Sequence, residues 1–532
     1  MAGTRTSAGT NTARELVIVL AVCAFLFFYG LGSFGMLGAD EPRYTQIARE
    51  MLERGDWVTP TLGGKPWLEK PVLYYWGAML SYSIFGVSDW AARVPSSVLS
   101  TLMVLAIYAF TRRFRPGAQI SAALITAATA AFIGFGRAAS TDLPLATTFT
   151  MALLAWKAWH LTARKLFLIG FYVALALATL AKGPVAVVLA GAVIGAFVLL
   201  RREWPLLWRT LWVPGALLYL ALALPWYVAV ELSTRQFFQV FIVEHNLARY
   251  GTDVFRHTQP FWYYALVLPV ALLPWTAIAI AAVVRKLREF RTSVDSGEGI
   301  GLFLLSWLLI PVMFFSFSGS KLPGYILPAI PAGTMLAALH LHGLEQRGER
   351  IRLPLLLAQA ILAGITLGVA LLANFPLLKV SPTPLAWTIG IAAGLIAAVA
   401  VVVAGRRGVR PVVTATTVAV ILGVAFIMRA VSPSIDLKES ARPVANATAP
   451  SAPANTPVAG FNIKRELEYG LHFYRNAPVQ RYERAEIPKG EHLLIMRGGT
   501  EEAARALLDG RSMTKIGGFP AQRLEFWRVG GR

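Results

Sequence analysis

Charge is scarce in this chain. Of its 532 residues 56% are hydrophobic and only 15% are Asp, Glu, Lys or Arg, with a mean hydropathy of +0.56, and that balance excludes an ordinary soluble protein of this size. Cysteine is almost absent: the single Cys23 excludes an intrachain disulfide framework and a cysteine-based metal site. Acidic side chains number 29 against 50 basic ones. A net charge of +21 would point to nucleic acid in a soluble chain, but the basic residues fall in short clusters between apolar runs, which is a topology signal. Also missing are a Walker loop, a GxGxxG after a strand and an HExxH, so the sequence holds no signature for a nucleotide.

What is present is a series of thirteen apolar runs, near 15–37, 90–111, 118–136, 143–162, 166–181, 183–200, 208–231, 260–284, 300–318, 323–343, 353–373, 383–404 and 411–430. Crossing about 30 Å of hydrocarbon takes roughly 20 helical residues, and most runs are of that order. The first is longer than a signal-peptide core and lacks a small-residue cleavage site, so it reads as a retained span. With the N-terminus cytoplasmic, every inner loop is basic, from Arg5 and Arg14 through Arg112, Arg113 and Arg115 to Arg406, Arg407 and Arg410. The outer loops are mixed; the first, 38–89, carries Asp40, Glu41, Glu50, Glu53, Asp56, Glu69 and Asp89. This alternation follows the positive-inside rule and places the C-terminus outside.

The expected architecture is therefore an all-α polytopic membrane protein with a transmembrane domain over 1–440. An amphipathic juxtamembrane helix lies in the first outer loop, and a second large outer loop covers 232–259. Residues 441–460, rich in Pro, Ala, Asn and Thr, read as an irregular linker. Beyond it, 461–532 mixes β-like runs such as 492–496 with a helical stretch at 501–508, a small α+β domain on the outer side. No inverted repeat of the kind that marks a transporter is visible.

Candidate functional residues concentrate on the outer side. In Ala39-Asp-Glu-Pro-Arg-Tyr-Thr-Gln-Ile-Ala-Arg-Glu-Met-Leu52, Asp40 opens a helical pattern whose apolar face is Tyr44, Ile47, Ala48, Met51 and Leu52. Asp40 serves either as an N-cap or as a functional acid, and Arg49, Glu50 and Glu53 are expected to face water. Glu69 and Lys70 stand among aromatics and prolines at headgroup depth, where a snorkelling pair and a phosphate-binding pair are both open readings. Isolated charges end three further segments on the same side: Arg137 with Asp142, then Lys182, then Lys321 near Tyr325. Charges so placed usually line a wet cavity. The last outer segment, 243–264, holds Glu244, His245, Arg249, Arg256 and His257, without the close histidine spacing of a metal site.

The order of these motifs carries a resemblance: Asp40-Glu41 after the first span, Glu69-Lys70-Pro71, Ser140-Thr-Asp142, Lys182-Gly-Pro184, Glu244-His245, and Ser320-Lys-Leu-Pro-Gly-Tyr325. Over essentially its whole length the chain resembles the polyprenol-phosphate-dependent glycosyltransferases of the GT-C class and, within it, the bacterial lipid A aminoarabinose transferases. The resemblance implies transfer of 4-amino-4-deoxy-L-arabinose from undecaprenyl phosphate to a lipid A phosphate in the periplasmic leaflet, giving polymyxin resistance. It implies Asp40 and Asp142 as the functional acids. Arg43, Tyr44, Lys70, Arg137, Lys182, Arg256, Lys321 and Tyr325 are the candidates for gripping the donor and its phosphate. It further implies a divalent metal, plausibly zinc, with Glu69 and His257 as ligands and His245 as the substitute. The enzyme would sit in the bacterial inner membrane as a monomer, its C-terminal domain periplasmic. Two alternatives stay open: a protein O-mannosyltransferase or other lipid-linked glycosyltransferase, whose hydroxyl acceptor would need a base near Asp40, and a flippase for the lipid-linked sugar.

Overall fold

The structure is a computed structural model that describes residues 3–241, 244, 259–291, 298–453 and 455–531. Among them seven helices are long and apolar enough to cross a bilayer, and two bent pairs raise the number to nine. The thirteen runs are thus not thirteen straight helices. Run 118–136 is two helices, α5 (Gln119–Ala127) and α6 (Ala130–Gly136), bent by 60°. The break has a cause: the Ala130 amide leaves the helical ladder and donates to the Leu273 carbonyl at 2.8 Å. Run 260–284 likewise becomes Tyr263–Ala271 and a following helix from Thr276, bent by 117°, because Pro274 between them has no amide to give. Run 15–37 is helical only to Phe28, α1 (Gly3–Cys23) passing into a π-turn over Ala24–Phe28.

Two helices of the 38–89 loop build the face that matters. The chain after α1 reaches α2 (Asp40–Arg54), crosses a hairpin of β1 (Thr61–Leu62) and β2 (Lys65–Pro66), and enters α3 (Leu73–Phe85) and α4 (Asp89–Phe114). At 13 residues, α3 is too short to span; it lies under α2 and buries Tyr74, Tyr75, Ala78 and Met79 against Tyr44, Ile47 and Met51. Glu50 fixes the hairpin by accepting from the amides of Gly63 at 2.7 Å and Gly64 at 3.1 Å. Deeper still, Arg93 on α4 donates to both oxygens of Glu41, at 3.0 and 2.8 Å, and to the carbonyls of Leu31, Phe34 and Gly35. One fully buried arginine thereby ties α2 and the irregular 29–39 segment to α4.

The C-terminal unit is a five-stranded sheet in the order β4-β3-β5-β7-β6, from β3 (Val458–Phe461), β4 (Gln480–Arg481), β5 (His492–Arg497), β6 (Met513–Phe519) and β7 (Leu524–Val529). Strand β3 runs parallel to β4 and β5, and the remaining pairs are antiparallel. The expected irregular linker is corrected here: Arg442–Thr448 is a helix, and its Val444 and Ala445 are buried in the domain core with Leu467, Leu471 and Ile495. Val444 and Ala445 fill part of that core, so the small domain begins before 461.

A second correction concerns α2. Glu53 is exposed as expected, but the rest of the polar face meets the Arg465–Arg475 helix: Gln46 donates to Asn476 at 3.1 Å, Arg49 to the Phe473 carbonyl at 3.3 Å, and His472 Nε2 lies 3.6 Å from Glu50. Burial holds the His472 imidazole below its usual 6.5, Glu50 opposing and Arg49 reinforcing the shift. His492, bonded to the Gly490 carbonyl at 2.9 Å and Tyr482 at 2.6 Å, is held below 6.5 by burial as well. Both are neutral in the fold, so their contribution is complete above the unfolded value and is lost as pH falls below it. Thermal unfolding of the purified protein should therefore occur at lower temperature at about pH 5.5 than at about pH 7.5, with a smaller difference in His472→Gln. Equal melting at both pH values would count against neutral histidines at these positions.

Candidate active site

Helix α7 (Asp142–Thr162) and α8 (Lys165–Lys182) run antiparallel, which brings the first residue of one beside the last of the other. Asp142 and Lys182 form an ion pair. Ser140 Oγ donates to Asp142 Oδ2 at 3.1 Å and accepts from the Asp142 amide at 3.0 Å, fixing the carboxylate at the helix start. Lys182 Nζ lies 5.0 Å from the centroid of Tyr325. The Lys321–Tyr325 turn closes over this pair, and glycine at 324 permits the close approach: a Cβ there would stand 3.1 Å from Asp142 Cγ and 3.0 Å from the Phe135 ring, so these neighbours would have to give way. Gly324→Ala is accordingly expected to displace Asp142 by a few tenths of an ångström and to cut activity about tenfold while melting within a few degrees of the parent. Unchanged turnover in that variant would show that the approach is incidental.

The other half of the site comes from α2. Ala39 takes the N-cap position without a side-chain bond, so Asp40 does not cap; it pairs with Arg43. The Asp40 side chain is 62% exposed and that of Arg43 only 8%. Ring centroids of Trp67, Tyr44 and Tyr469 stand 5.0, 5.3 and 5.6 Å from the guanidinium carbon, cation–π distances all. Tyr44 is buried and meets Tyr74 and Tyr75 at 6.3 Å. Burial pushes its phenol up, Asp40 adds to this, Arg43 opposes it, and Asp142 and Glu69 also contribute. One phenol thus feels both aspartates. Lys70 is within electrostatic reach of Asp142 and Glu69 of Arg43, so the Glu69-Lys70 corner borders both ion pairs.

Two expected residues point elsewhere. Arg137 donates to the carbonyls of Leu26 at 3.0 Å and Tyr29 at 2.6 Å and touches Met428 Sδ at 2.7 Å; it caps the carbonyl end of the first span, where a cation is favoured, instead of joining Asp142. Lys321 donates to the carbonyls of Ser318 at 2.7 Å and Gln259 at 3.0 Å and so braces the turn that carries Tyr325. Arg256, His257 and His245 lie outside the described residues.

A family model described as dolichyl-phosphate-mannose-protein mannosyltransferase matches residues 69–228. A Pseudomonas aeruginosa protein named undecaprenyl phosphate-alpha-4-amino-4-deoxy-L-arabinose arabinosyl transferase is 33% identical over 346 residues, 63% of this chain and 61% of that relative. A second, from Pseudomonas fluorescens, is 30% identical over 373 residues, 68% of this chain and 62% of the relative. The chain therefore spans about three fifths of the length of the curated relatives it matches. Across nearly the whole chain, the crystal structure of ArnT from Cupriavidus metallidurans bound to undecaprenyl phosphate superposes with a TM-score of 0.80 at 23% identity, covering 96% of this chain and 97% of that one. The fold is that of ArnT. Its apo crystal structure matches as well, with a TM-score of 0.79.

Within this ArnT fold the family-model match begins at Glu69 and takes in Asp142 and Lys182, while Asp40, Arg43 and Tyr325 lie beyond it. A metal centre does not assemble from the described residues: among them no three His, Cys, Asp or Glu side chains gather to hold an ion, and Glu69 is the one described member of the expected ligand set. No step is assigned to a metal here. The structure adds residues that sequence reasoning passed over. Ser140 was in plain view beside Asp142, and Trp67 stood within the aromatic stretch. Arg93 carried a signal too, as a lone arginine one turn inside an apolar helix, whereas nothing local marks Tyr469.

Proposed function

We propose that this chain is a membrane glycosyltransferase that moves 4-amino-4-deoxy-L-arabinose from undecaprenyl phosphate to a phosphate of lipid A. The observation that carries the reading is the pairing of each aspartate with a cation, Asp40 with Arg43 and Asp142 with Lys182, around one buried tyrosine. The relatives' names supply the sugar and its carrier, and the ArnT fold supports the same choice. Lipid A as acceptor, a monomeric state, the inner membrane and an outward-facing site belong to the proposal.

In this reaction a phosphate oxygen of the acceptor attacks the anomeric carbon, and the bond from that carbon to the undecaprenyl phosphate oxygen breaks, its electron pair leaving with the oxygen. The acceptor is already an anion, so no base need remove a proton. Negative charge grows on the departing phosphate, and the cations Arg43, Lys70 and Lys182 are placed to stabilise it. The exposed carboxylate of Asp40, oriented by Arg43, faces the positive charge that develops at the sugar ring, and Asp142 holds Lys182 in position. Displacement in a single step inverts the anomeric centre. Masking a lipid A phosphate with an amino sugar lowers the negative charge of the outer membrane, which accounts for resistance to polymyxin.

The mannosyltransferase family match favours a second reading with a hydroxyl acceptor. Purified protein given the undecaprenyl-linked aminoarabinose and either lipid A or a serine- and threonine-rich peptide separates the two. Mass addition on lipid A alone is expected, and addition on the peptide alone would overturn the first reading in favour of the second.

A further inference from the structure

Three ring faces box the Arg43 guanidinium, and they come from three different places. Tyr44 belongs to α2 and Trp67 follows the β1–β2 hairpin; Tyr469 comes from the C-terminal domain, its centroid 5.6 Å from Cζ. We propose that Tyr469 is a positioning residue for donor binding: its ring face holds Arg43 in the orientation that grips a polyprenyl phosphate, so the C-terminal domain forms one wall of the donor site. This rests on the reading under Proposed function and extends it to a domain that holds neither aspartate.

The guanidinium needs such support. Arg43 gives one Nη to Asp40, while its buried Nε has no hydrogen-bond acceptor among the described residues. A planar guanidinium stacked on aromatic faces loses rotational freedom before the anion arrives and so loses less on binding it. The Tyr469 ring is itself held in place, since its helix is fixed to α2 by Arg49, which donates to the Phe473 carbonyl at 3.3 Å. Arg465 lies over the same ring at 5.8 Å. Plain domain docking does not require Tyr469. The domain is anchored independently by Arg442 and Tyr474 on Asp89, at 2.7 and 2.6 Å, and by Met36, whose amide donates to the Tyr474 hydroxyl at 2.8 Å.

The test uses the full-length protein in detergent, with binding of undecaprenyl phosphate measured directly and KM for the lipid-linked sugar measured beside kcat. Tyr469→Leu is expected to weaken binding and raise KM about fivefold, the size of a cation–π contact at a partly buried site, with kcat nearly unchanged. Tyr469→Phe keeps the ring face and should bind like the parent. Asn476→Gly removes interface bonds without touching Arg43, at a backbone angle (φ +50°) that glycine accepts, and should leave affinity unchanged. Because a leucine at 469 could impair folding, progressively fluorinated phenylalanines are placed there as well. They preserve shape and drain the ring face, and affinity should fall stepwise with fluorination. A flat series, or Tyr469→Leu binding like the parent, overturns the inference alone. A parent protein that binds no undecaprenyl phosphate overturns the reading beneath it and the inference together.

Discussion

Asp40→Asn is expected to leave a folded protein that transfers almost nothing, with turnover reduced about 10²- to 10³-fold. The carboxylate is largely solvent-exposed and pairs with Arg43, so replacing it by an amide of the same shape removes charge without opening a cavity. Exposed ion pairs contribute about 1 kcal/mol or less to stability. Removing a negative charge that faces a developing positive centre costs far more in the transition state than in the resting enzyme, because that positive charge is present only in the transition state. Initial rates with purified protein, read beside its melting temperature, check both halves: the rate should collapse and the melting temperature should hold. Substantial activity in Asp40→Asn would remove Asp40 from the chemistry.

Its neighbour should behave in the opposite way. Glu41→Ala is expected to prevent folding or to destabilise the protein by about 3–5 kcal/mol. Glu41 accepts from Arg93 at 3.0 and 2.8 Å and from the amides of Ala139 and Leu37 at 2.8 Å each. Arg93 has no exposed surface, so without Glu41 it becomes a buried cation lacking a counter-charge, and two amides lose their acceptor at about 1–3 kcal/mol each. Expression and thermal unfolding in detergent report the effect; a Glu41→Ala protein melting within a few degrees of the parent would contradict this role. The two adjacent acids are thus placed differently, Asp40 exposed beside Arg43 and Glu41 bonded inward to the frame.

The sequence made the apolar runs and the concentration of acids in the 38–89 loop legible, because hydropathy and charge are local properties. The bends were less so: Pro274 marks one, but the Ala130 amide that breaks the other bonds to Leu273, far along the chain. Asp142 and Lys182 stood out in the sequence as charges among apolar neighbours, and the fold pairs them. For Arg137 and Lys321 the sequence did not show the partners, because a charge at a span end reads the same whether it faces a cavity or caps carbonyls, and only the geometry shows that both bind carbonyl oxygens. The polar face of α2 misled for a similar reason: amphipathicity shows that one face is polar, not that a helix from the far end of the chain covers it.

The most direct test of the central claim is mass spectrometry of lipid A from bacteria that make undecaprenyl-linked aminoarabinose but lack their own transferase, complemented with this chain or with Asp40→Asn. Addition of aminoarabinose by the wild-type chain, and none by an equally expressed Asp40→Asn, is the predicted result. Unmodified lipid A in cells carrying the wild-type chain would contradict it.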